Sequence, residues 1–149
     1  MTAVLRPATA SDVDALAALF LRVRAASVPA IPPVVHPAAS VAPFLAGAVA
    51  RDDVTVAEVD GVVVGFLARS GSEVDHLYVD GAHASRGVGS ALLGHARAAS
   101  PHGLALWTFE ANVGARRFYA RHGFVETGRT DGDNEEGAPD VRMEWRPAS

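Results

Sequence analysis

His76-Leu77-Tyr78-Val79 is an apolar, strand-like run that leads through a short loop into Arg86-Gly87-Val88-Gly89. From there the chain passes directly into a helical pattern carrying Leu92, Leu93 and Ala96. A strand, a glycine-bearing turn and a helix start in that order commit the middle of the chain to an α/β unit. They also make an anion site. The first amides of a helix have no intrahelical acceptor, and the macrodipole adds partial positive charge there. Gly87 and Gly89 carry no side chain to hold a ligand away from those amides, and Arg86 adds a positive charge beside them. The chemistry indicated is binding of a phosphate or pyrophosphate. An ordinary tight turn into a core helix is the other reading of the same residues. The segment is not a Walker loop, because no Gly-Lys-Ser/Thr follows. Nor is it a dinucleotide fingerprint, because no third glycine stands three residues after Gly89.

The length, 149 residues, suits one domain spanning 1–149 with a real hydrophobic core. The chain has no cysteine, which excludes disulfides, thiolate metal sites and a cysteine nucleophile. Its six histidines, among them His36, His76 and His122, show no spacing suited to zinc, so no metal is expected. A net charge of −4 argues against nucleic acid as the main partner. No apolar run is long enough to span a membrane, and no signal peptide is legible, which leaves the cytoplasm as the expected location.

Val4 to Pro7 reads as a first strand, followed by a helix capped by Ser11 with Asp14 in the capping-box position. Val13, Leu16, Phe20 and Val23 give that helix its buried stripe. Pro29, Pro32, Pro33 and Pro37 then impose a loop, and a second helix covers Ser40 to Ala50. Asp60-Gly61 between two valine-rich runs marks a hairpin. Strands are expected at Glu73 to Val79, Leu104 to Phe109, Phe124 to Arg129 and Val141 to Trp145. The third helix runs from about Gly87 to Ala99, and the fourth from Asn112 through Tyr119 to a left-handed stop at Gly123. The order is βααβββαβαββ, an α/β domain with a mixed sheet.

Two landmarks lie in this order. Ala84-Ser85-Arg86-Gly87-Val88-Gly89 heads the third helix, and one helix and one strand later comes Asn112-Val113-Gly114-Ala115-Arg116-Arg117-Phe118-Tyr119, then Gly123-Phe124. They resemble the Gln/Arg-x-x-Gly-x-Gly/Ala loop and the Asn-x-x-Ala-x-x-x-Tyr…Gly-Phe signature of the GCN5-related N-acetyltransferase (GNAT) superfamily. The resemblance covers essentially the whole chain and is densest from Glu73 to Phe124. One position departs from it: Ala84 stands where the family has Gln or Arg, which removes a side-chain contact and leaves the main-chain donors.

The resemblance implies a central mixed sheet splayed at an acetyl-CoA site, and direct transfer of acetyl from acetyl-CoA, the co-substrate, to a primary amine. It implies that Leu77, Tyr78 and Val79 run along the pantetheine arm, with an amide near Leu77 or Tyr78 polarising the thioester oxygen. Ser85, Arg86, Gly87, Val88, Gly89 and Ser90 would cradle the pyrophosphate, and Asn112 would hydrogen-bond the coenzyme as well as cap its helix. Tyr119 would protonate the leaving thiolate. Glu73 matches in position the catalytic glutamate of the histone-acetylating branch. Asp75 projects to the same face two residues later, so either acid is a candidate base, acting through water. His76 alternates to the opposite face from Asp75 and is expected to be structural.

For the acceptor side the candidates are His36, Glu110, Asn134, Glu135 and Glu136, with Asp140 nearby; the acidic connection before the last strand would attract a cationic amine, and Arg142 would pair with one of its acids. The acceptor itself, a small molecule or an exposed protein amine, is open. A homodimer through the last strands is compatible with this reading. The alternative is an acetyl-CoA-binding regulatory or degenerate module without turnover. A phosphate-loop nucleotide enzyme is a second rival.

Overall fold

The computed structural model describes residues 3–26, 37–83, 86–134 and 136–147. Its elements are β1 (Val4–Pro7), α1 (Val13–Ala26), α2 (Val41–Arg51), β2 (Asp53–Val59), β3 (Val62–Ser70), β4 (Glu73–Val79), α3 (Val88–Ala98), β5 (Leu104–Phe109), α4 (Val113–Arg121), β6 (Val125–Thr130) and β7 (Asp140–Trp145). The order matches the one read from the sequence. Short 3-10 turns precede α1, α2 and the loop before α3.

The start of α1 differs from expectation. Asp12, not Asp14, reaches back to a backbone amide, accepting from the Thr9 N–H at 2.7 Å. A 3-10 turn over Ala10–Asp12 therefore opens the helix two residues early. The cause lies in the neighbouring strand. Arg6 of β1 donates to both Asp12 carboxylate oxygens at 2.8 Å, which fixes that acid and makes it the anchor.

Seven strands form one sheet in the order β1-β2-β3-β4-β5-β7-β6. The first four are an antiparallel meander. Its first hairpin turns at Asp60 and Gly61, both at positive φ (52° and 78°), as a two-residue turn matched to strand twist requires. One face packs on α1 and α2 through Leu16, Leu19, Phe20, Leu45, Val56 and Phe66. The other packs on α3 through Leu92, Leu93, Ala57, Leu67, Leu106 and Met143, with Tyr119 of α4 and Phe124 in the same cluster. These two apolar layers hold the sheet rigidly on both sides of its centre.

The centre itself is open. β4 and β5 are the sheet's parallel neighbours, and they pair at a single register position, Glu73 with Ala105. Beyond it the two strands part company, which leaves a V-shaped gap between them. A bulge bends β4 in the same place. Ala68 pairs with His76 and Arg69 with Val74, so Asp75 is the extra, unpaired residue.

Candidate active site

The gap between β4 and β5 is the floor of a cleft of about 400 Å³. Val74 to Val79 form one side of it and Leu106 to Phe109 the other. Asn112, Ala115 and Tyr119 of the α4 segment line it as well. So do Val23 and Arg24 of α1, with Asn134, Glu136 and Asp140 around the β6–β7 connection.

Asn112 sits where its side chain accepts from the Ala115 amide at 3.2 Å, the ordinary cap of α4. Two turns on, Tyr119 is buried, with its ring edge-on to Phe118 and tilted against Phe124 at centroid distances of 5.3 and 5.5 Å. Burial pushes its phenol well above the ordinary tyrosine range, helped by neighbouring Tyr78. The phenol therefore stays neutral throughout the physiological range.

Arg24 is the buried cation of the cleft. It packs over Phe20, acts electrostatically on the Tyr78 hydroxyl and lies 3.8 Å from the Glu136 carboxylate. Glu136 is thus paired rather than free to receive an amine. Asn134 is used within its own connection, bonded in both directions to the backbone of Ala138. Asp140 is buried and accepts from the Thr130 hydroxyl.

The two candidate bases occupy different settings. Glu73 accepts from Arg142 Nη1 at 2.6 Å and does not line the cleft. This corrects the expected partner of Arg142, which is Glu73 and no acid of the β6–β7 connection. Asp75 does line the cleft and accepts from the Ser70 hydroxyl. The bulge also corrects the expected alternation. Asp75 and His76 share a side, and both form the wall between the cleft and a second cavity of about 360 Å³ beside α2. A two-residue period cannot foresee this, because the extra residue resets the count.

At the head of α3, Gly87 is the N-cap at φ +83°, and no side chain caps the helix there. The first amides of α3 are left for an external acceptor, with exposed Arg86 beside them. Gly89 has a further reason to be glycine. A Cβ there would stand 3.3 Å from the Phe118 ring, so its bareness serves the contact between α3 and α4.

Among the described residues, then, the cleft gathers Asp75, Leu77, Tyr78, Val79, Asn112, Tyr119, Asn134 and Glu136 from the expected set. Glu110 stays outside it, bonded to Arg129 at 2.9 Å, and Arg86 to Ser90 lie at the α3 head rather than on the cleft wall. His36, Ser85 and Glu135 lie outside the described residues. Arg24 and Trp107 line the cleft and escaped the sequence reading. Arg24 had a signal: it continues the i, i+4 stripe of Leu16 and Phe20, where a buried cation needs a reason. No group of three or more His, Cys, Asp or Glu side chains among the described residues is placed to hold a metal ion. No helix among them is long and apolar enough to cross a membrane.

Known proteins share this fold. The family model described as an acetyltransferase (GNAT) domain matches residues 50–126. Over 71 residues the sequence is 37% identical to the peptidyl-lysine N-acetyltransferase YjaB of Salmonella typhimurium. That stretch is 48% of each protein, so the chain spans about half the length of the curated relative it matches. The fold superposes on the apo-form solution structure of YjaB from Escherichia coli with a TM-score of 0.79 and 25% identity, covering 99% of this chain and 100% of that one. It also superposes on yncA from Salmonella typhimurium, solved with its cofactor acetyl-CoA, with a TM-score of 0.76, 19% identity and coverage of 100% and 96%. At that identity the second likeness concerns the fold alone.

Proposed function

The chain belongs to the GNAT acetyltransferase family, and on that premise we propose that residues 1–149 act as one transferase domain moving acetyl from acetyl-CoA to a primary amine. One observation carries the reading. The gap between β4 and β5 has the strand edge of Leu77 to Val79 along it, and Asn112 and Tyr119 line the same cleft. A strand edge without a partner offers amides and carbonyls to an extended amide-bearing arm. The uncapped amides at the head of α3, reached past Val79, suit a pyrophosphate.

Acetyl-CoA supplies the activated acetyl thioester; the chain's residues do the rest. Leu77 to Val79 bind the arm, and an amide on this stretch donates to the thioester oxygen. Ser85 to Ser90 hold the phosphates, chiefly by backbone amides. Tyr119 gives its phenolic proton to the leaving sulfur, a role supported by its place in the cleft wall and by the burial that keeps the phenol protonated. Asp75, which lines the cleft, draws the incoming ammonium and holds it where it loses its proton. Glu73 is a weaker candidate because Arg142 already engages it. The YjaB likeness makes a peptide lysine the first acceptor to try.

Release of CoA, followed over a panel of amines that includes lysine peptides, tests the reading with Tyr119→Phe beside wild type. Acceleration by at least one amine, largely lost in the variant, is expected. Acetyl-CoA binding that no amine converts into CoA release would support the regulatory alternative instead.

A further inference from the structure

We propose that His76 carries the amine's proton out of the cleft and delivers it to solvent in the side cavity beside α2; the proposal rests on the acetyltransferase reading above. His76 is one of two residues, with Asp75, that line both cavities. The side cavity is formed by Phe44, Ala48, Arg51 and Asp52 of the α2 segment against Ala68 and Ser70 of β3. The β4 bulge brings the imidazole and the Asp75 carboxylate to the same wall.

The ring is held by aromatic faces. Phe20 and Phe44 meet it edge-on at 5.8 and 5.5 Å, and Tyr78 stacks on it at 5.9 Å. Those aromatic contacts fix the plane of the imidazole, yet no hydrogen bond from a described residue occupies either ring nitrogen. A half-buried imidazole held by apolar faces with both nitrogens available is suited to pass a proton rather than to brace the fold.

The step balances. An N–H bond of the bound ammonium breaks, its electron pair stays on the amine nitrogen, and the proton goes to one imidazole nitrogen. The imidazolium then releases a proton from its other nitrogen to water in the side cavity and is neutral again. Charges on every neighbouring element act on this ring: Asp75 on its own strand and Asp52 after α2 favour the imidazolium, while Arg24 of α1 opposes it. Burial is the largest influence and holds the imidazole below its ordinary pKa, so it meets the ammonium unprotonated at neutral pH. An imidazole is also better matched than a carboxylate to take a proton from an alkylammonium.

The test compares His76→Phe, which keeps an aromatic ring in the cage, and His76→Gln, which keeps polarity, with wild type. Both are measured for acetyl-CoA affinity by calorimetry and for kcat across pH, with an alkylamine and with an arylamine already neutral at pH 7. Unchanged acetyl-CoA affinity and a loss of about 10²-fold in kcat with the alkylamine at neutral pH are expected. The loss should shrink as pH rises toward the amine's own pKa, and the low-pH inflection of wild type should disappear. With the arylamine the variants should stay close to wild type wherever it is a substrate. A variant that keeps the wild-type inflection, or loses both amines equally, overturns the relay and leaves the acetyltransferase reading standing. If wild type releases CoA with no amine, that reading fails and the relay with it.

Discussion

Arg142 of β7 reaches over β5 to Glu73 of β4, Nη1 to Oε2 at 2.6 Å, with its guanidinium 5.4 Å from the Trp107 ring of β5. The pair spans three strands at the level where β4 and β5 still pair, Glu73 with Ala105. It works as a strut at the closed end of the V. Both side chains are partly exposed, so the strut contributes about 1 kcal/mol at most. Glu73→Gln should therefore lower thermal stability slightly and leave turnover within a few-fold of wild type. Asp75→Asn should lower kcat/KM by about 10²-fold with little change in melting. Parallel CoA-release assays and melting curves check this, and the reverse ranking would return the proton-handling role to Glu73.

Tyr119 is the proposed proton donor, and its loss should be the cleanest to read. Its hydroxyl is absent in Tyr119→Phe, while the ring contacts to Phe118 and Phe124 remain available. We expect kcat to fall by about 10²-fold, with a smaller change in KM for acetyl-CoA. The pH profile adds a sign. Because burial raises the phenol's pKa, the donor stays protonated as pH rises past the ordinary tyrosine value of about 10. Wild type should thus show no alkaline loss of kcat from this group below that point. A falling limb between pH 8 and 9 that Tyr119→Phe abolishes would contradict the assignment.

The element order could be read because each strand and helix carried its own local signal: Asp60-Gly61 for the first hairpin, Gly123 for the end of α4, and the Leu92-Leu93-Ala96 stripe for α3. That Asn112 and Tyr119 line one cleft was legible for the same reason, since they lie two turns apart on one helical segment. What could not be read was set by distant partners. Asp12 displaced Asp14 at the start of α1 because Arg6 of β1 holds it. Glu136 reads as a free acid until Arg24 arrives from α1, more than a hundred residues away in sequence. The side shared by Asp75 and His76 depends on a bulge, for which alternation carries no signal.

Acid should unpick the Arg6–Asp12 contact in a defined window. Hydrogen bonds from Arg6, and then from the Thr9 amide, lower the Asp12 pKa to about 2 from its ordinary 3.8. A carboxylate whose folded pKa is depressed adds stability above its unfolded pKa and loses it as pH falls through the folded one. The contribution is therefore full above about pH 4 and gone near pH 2. Partial exposure of Arg6 limits it to the order of 1 kcal/mol. Urea titrations should show Asp12→Asn less stable than wild type at pH 7, with the gap closing as pH approaches 2. A gap that stays constant across that range would mean the loss is packing, not charge.

Gly87 and Gly89 sit two residues apart yet should fail for different reasons when replaced by alanine. Gly87 has φ +83° and nothing within 4 Å of a built Cβ, so Gly87→Ala meets only left-handed strain, about 1 kcal/mol. Gly89 meets Phe118 Cζ at 3.3 Å and Val79 Cγ2 at 3.7 Å, so Gly89→Ala presses on the Phe118 ring, a crowding cost of about 1 kcal/mol or more set against the helix propensity it gains. A double-mutant cycle separates the two. Trimming the ring with Phe118→Leu should relieve Gly89→Ala, giving a favourable coupling of about 1 kcal/mol in chemical denaturation. The same trim should leave Gly87→Ala additive to within about 0.5 kcal/mol, because strain at a backbone torsion has no side-chain partner to remove. Equal coupling in both cycles would mean that Phe118 supports the whole α3 head rather than the single contact at Gly89.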